Sequence, residues 1–240
     1  MSELSPLAAA LIAAHETGTR IQPEAGPASA AEAFAVQAEV SRHFGAVGGF
    51  KVGQKPGADP IMAPIRADKV LASGGAVKVA DKMAIELEVG FEILSPLPAG
   101  ATPAELAKHV RPLPAIELVD TRLAGPLAGD PLAKLADNQI NGGLVLGKPL
   151  TGWDGSDFGK LTAKLTAGEE TVLDGETEVP FGSALTTLSV LADFIGTHCG
   201  GLQPGQVVIT GTLCGIPYFP AGTEIRGSIE GLGEVNVSLL

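Results

Sequence analysis

Three acidic residues sit in one short apolar run, Met83-Ala84-Ile85-Glu86-Leu87-Glu88-Val89-Gly90-Phe91-Glu92-Ile93. Successive side chains of a strand alternate between faces. Ile85, Leu87, Val89, Phe91 and Ile93 therefore share one face, and Glu86, Glu88 and Glu92 share the other, with Gly90 leaving it open. Glu86 and Glu88 project the same way from Cα atoms ~6–7 Å apart. Two like charges so close repel, and each resists desolvation; the pair needs either water or a shared cation. Acidic oxygens aimed at one point are a ligand set for a hard divalent ion such as Mg²⁺. An E-x-E is equally ordinary on the wet face of an antiparallel strand, so the pair alone does not choose.

Two further residues carry the same ambiguity. Lys51 lies inside a glycine-lined strand, Val47-Gly-Gly-Phe-Lys51-Val-Gly53, where it is either a functional amine or a solvated edge-strand lysine that discourages aggregation. Leu113-Pro-Ala-Ile-Glu117-Leu-Val-Asp120 reads as a strand ending on an acid. Asp120 there either aims a ligand into a site or caps the turn into Thr121-Arg122.

The elements that position these residues follow from caps and periodicity. Ser5-Pro6 starts a helix running towards Gly18, and Ser29-Ala-Ala-Glu32 starts a second that Gly45 stops. Gln37 on the stripe of that second helix is either an edge residue or a buried hydrogen-bonding anchor. From Gly45 onward the texture is strand. Residues 54–74, rich in Gly, Pro and Ala, read as a long loop of the kind that forms lids. Thr102-Pro-Ala-Glu105 is another capping box. Leu132 to Asn138 is a short helical piece leading into a glycine-bounded strand, and residues 161–173 form a hairpin. Ser183 to Cys199 spells the longest helix, with its leucines at core spacing, and the tail is β. Residues 1–45 thus form an N-terminal helical segment and residues 46–240 a β-rich domain, the two making one structural unit.

Composition narrows the function classes. The 240 residues are 45% hydrophobic and 18% charged, with 32 Gly and 18 Pro but only 4% aromatic residues, a profile of short strands joined by tight turns. A net charge of −11 argues against nucleic acid or an anionic membrane as partner. An anionic small substrate remains compatible where a bound cation supplies local positive charge. Two unpatterned cysteines, Cys199 and Cys214, fit a reducing cytosol. No signal peptide or membrane-length apolar run is read, so the expected location is cytoplasmic. No G-x-G-x-x-G or Walker pattern is present.

Taken in order, F-A-V-Q on a helix, G-x-K-x-G, E-L-E, A-I-E-L-V-D, A-D-N-(x)3-G, V-V-I-T-G-T and a terminal E-G-L-G-x-V resemble the fumarylacetoacetate hydrolase superfamily. The branch they resemble holds 2-oxopent-4-enoate hydratase and 4-oxalocrotonate decarboxylase. The resemblance runs from about Leu7 to the carboxyl terminus. It implies an α+β, β-rich roll of distorted mixed sheets with peripheral helices, assembled as a homo-oligomer. It further implies Glu86, Glu88 and Asp120 as ligands of Mg²⁺ or Mn²⁺, Lys51 and Asp137 as catalytic residues, and Asn138, Gly211 and Thr212 as substrate-binding residues. Lys51, near a cation and partly desolvated, would then have a lowered pKa suited to shuttling a proton.

The activity so implied is addition of water to a 2-hydroxy-dienoate or its 2-oxo-enoate tautomer, giving a 4-hydroxy-2-oxo acid. Decarboxylation of a 4-oxalocrotonate-type acid and hydrolysis of acylpyruvates are the alternatives, and an inactive partner subunit is the non-enzymatic one. The C–C hydrolases of the superfamily carry a water-activating His/Glu pair in a region where this chain, from Lys51 to Ile85, has neither residue type. His15, His43, His109 and His198 all fall in or beside helices and read as surface or satisfied core groups. Gln54-Lys55 and Gln139-Ile140 depart from the branch's small and hydroxyl residues near the expected pocket.

Overall fold

The computed structural model describes residues 4–54 and 57–240, so Met1–Glu3 and Lys55, one of the departing residues, lie outside the described residues. Ser5 caps the first helix, α1 (Pro6–Thr17), by accepting from the Ala8 N–H, and Gly18 closes it in the left-handed region. Ser29 caps α2 (Ala30–Phe44) through the Glu32 N–H. Four strands follow: β1 (Val47–Gly53), β2 (Ile61–Arg66), β3 (Val70–Ala72) and β4 (Gly75–Val77). The stretch 54–74, expected to be a long loop, therefore contains two strands, β2 and β3. Pro64 hid the first, yet β2 is the edge strand of its sheet, where a missing N–H is tolerated.

The acidic strand is β5 (Lys82–Ile93), followed by the Thr102-capped α3 (Pro103–Leu106) and by β6 (Val110–Val119). Next come α4 (Pro131–Ala136), β7 (Asn141–Leu146) and the hairpin of β8 (Lys160–Ala167) and β9 (Glu170–Glu178). The fifth helix, α5 (Ala184–Phe194), stops short of the expected Cys199 and is shorter than α2, because Gly196 and Cys199 both take positive φ. The tail supplies β10 (Val207–Thr212), β11 (Tyr218–Pro220), β12 (Glu224–Ile229) and β13 (Gly233–Leu239).

These strands form two mixed sheets. The larger runs β2-β1-β10-β5-β6-β7-β3 with β11 added on β5, and the smaller runs β4-β13-β12-β8-β9. The apolar face of β5 (Ile85, Leu87, Val89, Phe91 and Ile93) packs in one core with Leu165, Ile225 and Val237 of the smaller sheet and with the leucines of α5. The opposite face holds a small cluster around Ile65, Leu144 and Ile209. A separate core joins α1, α2 and α4 around Leu123. Gln37 is the buried anchor of that layer: its amide donates to the Met62 and Leu135 carbonyls, fastening α2 to β2 and α4. The architecture is α+β, strand-rich, with helices at the periphery. None of the described helices is long and apolar enough to cross a membrane.

Candidate metal centre and active-site cavity

Register decides what faces what on the larger sheet. β5 and β6 pair antiparallel with Glu86 directly opposite Glu117 and Glu88 opposite Ala115. Directly opposed residues of an antiparallel pair point to the same face with Cβ atoms ~4.5–5.5 Å apart. Glu117 therefore joins Glu86 and Glu88, and one carboxylate oxygen from each lies within 4.8 Å of the others. On the far side of β10, β1 places Lys51 beside Ile209 in parallel register. Its ammonium reaches across to Glu117 Oε1 at 2.6 Å and to the Gln139 carbonyl at 3.3 Å.

The electrostatics of this group are unbalanced. Glu86, Glu88 and Glu117 are 7%, 2% and 0% exposed, and among the described residues Lys51 is the one cation that pairs with the group, through Glu117. Burial, reinforced by Glu117, pushes Glu86 up to about 8. Burial and the neighbouring Glu117 and Glu86 push Glu88 well above the usual carboxylate range, although Glu88 Oε2 accepts the Gly211 N–H at 2.5 Å. Asn141 donates to Glu117 Oε1 at 2.7 Å, while Glu117 Oε2 is buried with no hydrogen-bond partner among the described residues. Burial acts to lower the Lys51 pKa, but Glu117, Glu86 and Glu88 outweigh it and the net direction is up. The lowered value expected from the sequence is thus reversed when the three carboxylates alone surround the amine.

Two residues implied by the resemblance are placed apart from this group. Asp120 does not join the glutamates. It lies an odd number of residues beyond Glu117, past the end of β6, and its carboxylate pairs with Arg20 at 2.9 Å on the surface. Asp137 does not reach the cavity either. One of its oxygens accepts the Arg122 Nε at 2.5 Å; the other accepts the Arg122 backbone N–H at 2.9 Å and the Thr121 hydroxyl at 3.3 Å. Arg122 also donates to the Asp137 and Asn141 carbonyls. Burial raises the Asp137 pKa while Arg122 opposes the shift.

What Asp137 and Arg122 brace is a turn of three consecutive left-handed residues, Asn138, Gln139 and Ile140, with φ of 50°, 50° and 55°. That conformation is rare for non-glycine residues and an outlier for a β-branched one. It delivers the Gln139 carbonyl to Lys51. Asn138 is buried behind it, its Oδ1 unpartnered among the described residues.

A cavity of about 580 Å³ opens over the glutamates and Lys51. Gly211 and Thr212 line it, as do Gln54, Gln139 and Ile140; Asn138 and Asp137 do not. Gly211 is required by its φ of 108° and by space, since a Cβ there would lie 2.7 Å from Pro180 Cγ. None of the four histidines lines the cavity. His43, His109 and His198 instead meet Glu16, Ser95 and Gln37.

Residues 34–239 match the C-terminal domain family of fumarylacetoacetate hydrolase. The chain belongs to the fumarylacetoacetate hydrolase family. Over 125 residues it is 34% identical to 2-keto-4-pentenoate hydratase 2 of Dechloromonas aromatica (strain RCB), a match covering 52% of this chain and 47% of the relative. It therefore spans about half the length of the curated relatives it matches. The family fold extends over nearly the whole chain in 4-oxalocrotonate decarboxylase from Pseudomonas putida G7, solved with magnesium and adipate. That structure gives a TM-score of 0.81 at 21% identity, covering 98% of this chain and 96% of that one. Fumarylpyruvate hydrolase from Pseudomonas aeruginosa, solved with Mn²⁺ and pyruvate, gives 0.59 at 16% identity, covering 80% and 88%.

Proposed function

We propose that this chain is a divalent-metal-dependent hydratase that adds water to a 2-hydroxy-dienoate, through its 2-oxo-enoate tautomer, to give a 4-hydroxy-2-oxo acid. The observation that carries the reading is the convergence of Glu86, Glu88 and Glu117 beneath a cavity that also holds Lys51. The hydratase name of the Dechloromonas relatives supports it. The donor set fits Mg²⁺ or Mn²⁺: all ligands are hard oxygens, they carry more negative charge than Lys51 offsets, and Glu117 Oε2 lacks any other partner among the described residues. Glu86, Glu88 and Glu117 would hold the ion. When bound, it would act as a Lewis acid on the head of a 2-oxo acid and favour its enol form.

The chain's own residues supply the rest. Lys51 Nζ, kept protonated by its three acidic neighbours, gives a proton to C5 of the dienol while the 2-hydroxyl loses its own to solvent, forming the 2-oxo-3-enoate. The neutral amine then takes a proton from the water whose oxygen adds at C4, and C3 takes a proton from solvent, so that Lys51 ends the cycle protonated. Glu117 Oε1 and the Gln139 carbonyl hold that amine in place. Gly211 and Thr212 line the wall against which the substrate packs, and Glu88 is fixed by the Gly211 N–H. Asp137 acts at a distance, as the brace of the Gln139 turn. Decarboxylation of a related acid is the second reading, favoured by the full-length fold match to the decarboxylase; assembly as a homo-oligomer belongs to the same proposal.

The test is thermal unfolding of chelator-treated protein with Mg²⁺ or Mn²⁺ and then with oxalate or pyruvate, followed by turnover of the dienoate. A metal-dependent rise in Tm that grows with the 2-oxo acid mimic, and hydration of the dienoate, are expected. No shift with either metal would refute the reading.

A further inference from the structure

Lys134 projects from α4, and it lines the same cavity as Lys51. Gln37 fixes its place: Nε2 donates to Met62 O at 3.1 Å and to Leu135 O at 2.5 Å. One amide nitrogen reaching both carbonyls holds β2 against α4, so Ile61 and Lys134, their immediate neighbours in sequence, share one side of the cavity. The two cavity lysines differ in their partners. Lys51 is bound to Glu117. Lys134 makes no ion pair among the described residues, although three carboxylates stand in the same cavity.

Part of the remaining lining is apolar and exposed, beside the half-buried polar Gln54, Gln139 and Thr212. Ile61, Phe181 and Ile216 all border this cavity and are 38%, 51% and 51% exposed, unusual for large apolar side chains placed together. Phe181 is held there at a positive φ of 65°. The site thus offers an acidic floor for a cation and a 2-oxo acid head, apolar walls for a hydrocarbon middle, and one unpaired ammonium beside those walls. A ligand with a purely hydrocarbon tail would cover that ammonium and desolvate it without a partner, which is unfavourable. A tail ending in a carboxylate would pair with it.

We infer that Lys134 is a specificity-determining residue that binds a second, distal carboxylate, so that the site takes 2-oxo or 2-hydroxy-dienoic dicarboxylic acids in preference to monoacids. This rests on the proposed chelation of the 2-oxo acid head over Glu86, Glu88 and Glu117.

The test compares two unreactive acids of equal length, 2-oxohexanoate and 2-oxohexanedioate, titrated calorimetrically into the full chain with saturating Mg²⁺. The diacid is expected to bind about tenfold more tightly, the scale of one charge-assisted hydrogen bond. Lys134→Met should bring the two affinities together, and Lys134→Arg should restore most of the ratio. Equal binding of both acids by the unaltered chain overturns the inference and leaves the chelate site standing. Equal weakening of both acids in Lys134→Met marks a structural effect and also overturns it. Failure of both acids to bind at all overturns the chelate reading and this inference with it.

Discussion

Two clusters of buried charge lie either side of the Asn138–Ile140 turn, and they are built in opposite ways. In the first, Asp137 meets Arg122, both of its oxygens are hydrogen-bonded, and the guanidinium is occupied by two carbonyls as well. In the second, three buried glutamates stand with one lysine, two of them are pushed up in pKa, and one oxygen has no partner among the described residues. Buried charges are tolerated when paired and hydrogen-bonded, and unfavourable when not. The satisfied cluster is therefore a brace. The unsatisfied one is a site, because its deficit is what a divalent cation would remove.

The contrast is broken most forcefully at Arg122. Arg122→Met strands the Asp137 carboxylate and should cost about 3–5 kcal/mol of stability in denaturant unfolding; a loss under 1 kcal/mol would show that the pair is no brace. Glu86→Gln should act with the opposite sign, stabilising metal-free protein by ~1–3 kcal/mol at neutral pH because an ionisable group disfavoured by its surroundings is removed. The same variant should lose the metal-dependent rise in Tm.

The pH dependence separates the clusters further. Glu86 in the folded, metal-free protein has a pKa raised to about 8 from an unfolded value of 4.5. The folded state then binds more protons between those values, so stability is highest below pH 4.5 as far as this group is concerned and declines as pH rises through 8. Mg²⁺ or Mn²⁺ should flatten that decline in thermal melts taken between pH 5 and 8.5. The smallest effect is expected at Asp120. Its partner Arg20 is exposed, so Asp120→Asn should move stability by under about 1 kcal/mol and leave the metal-dependent shift intact, whereas Glu117→Gln should abolish that shift. The reverse result would restore Asp120 as a ligand.

Much of the framework was legible in local chemistry. The caps at Ser5, Ser29 and Thr102 and the glycine stop at Gly18 act within a few residues of themselves. The Glu86/Glu88 face is equally local, since strand alternation alone places both side chains on one side. Less visible were β2, masked by Pro64, and the early end of α5, which stops before Gly196 although the expected helix ran to Cys199. Glu117 carried a signal of its own, an acid between Ile116 and Leu118 inside an apolar strand, but nothing within β6 says which residue of β5 it will face.

The amino-acid sequence by itself determined the pair of converging glutamates, the lysine inside a glycine-lined strand, the strand-rich class and the family. The tertiary structure decided the third carboxylate, the satisfied role of Asp137 and the presence of Lys134 at the cavity. The reason lies in range. Alternation and capping are set by neighbours in sequence, whereas the register of β6 on β5 is set across a 16-residue connection containing α3, and α4 is brought to the site by its packing on α2, by Gln37 and by a strained turn that distant packing holds in place.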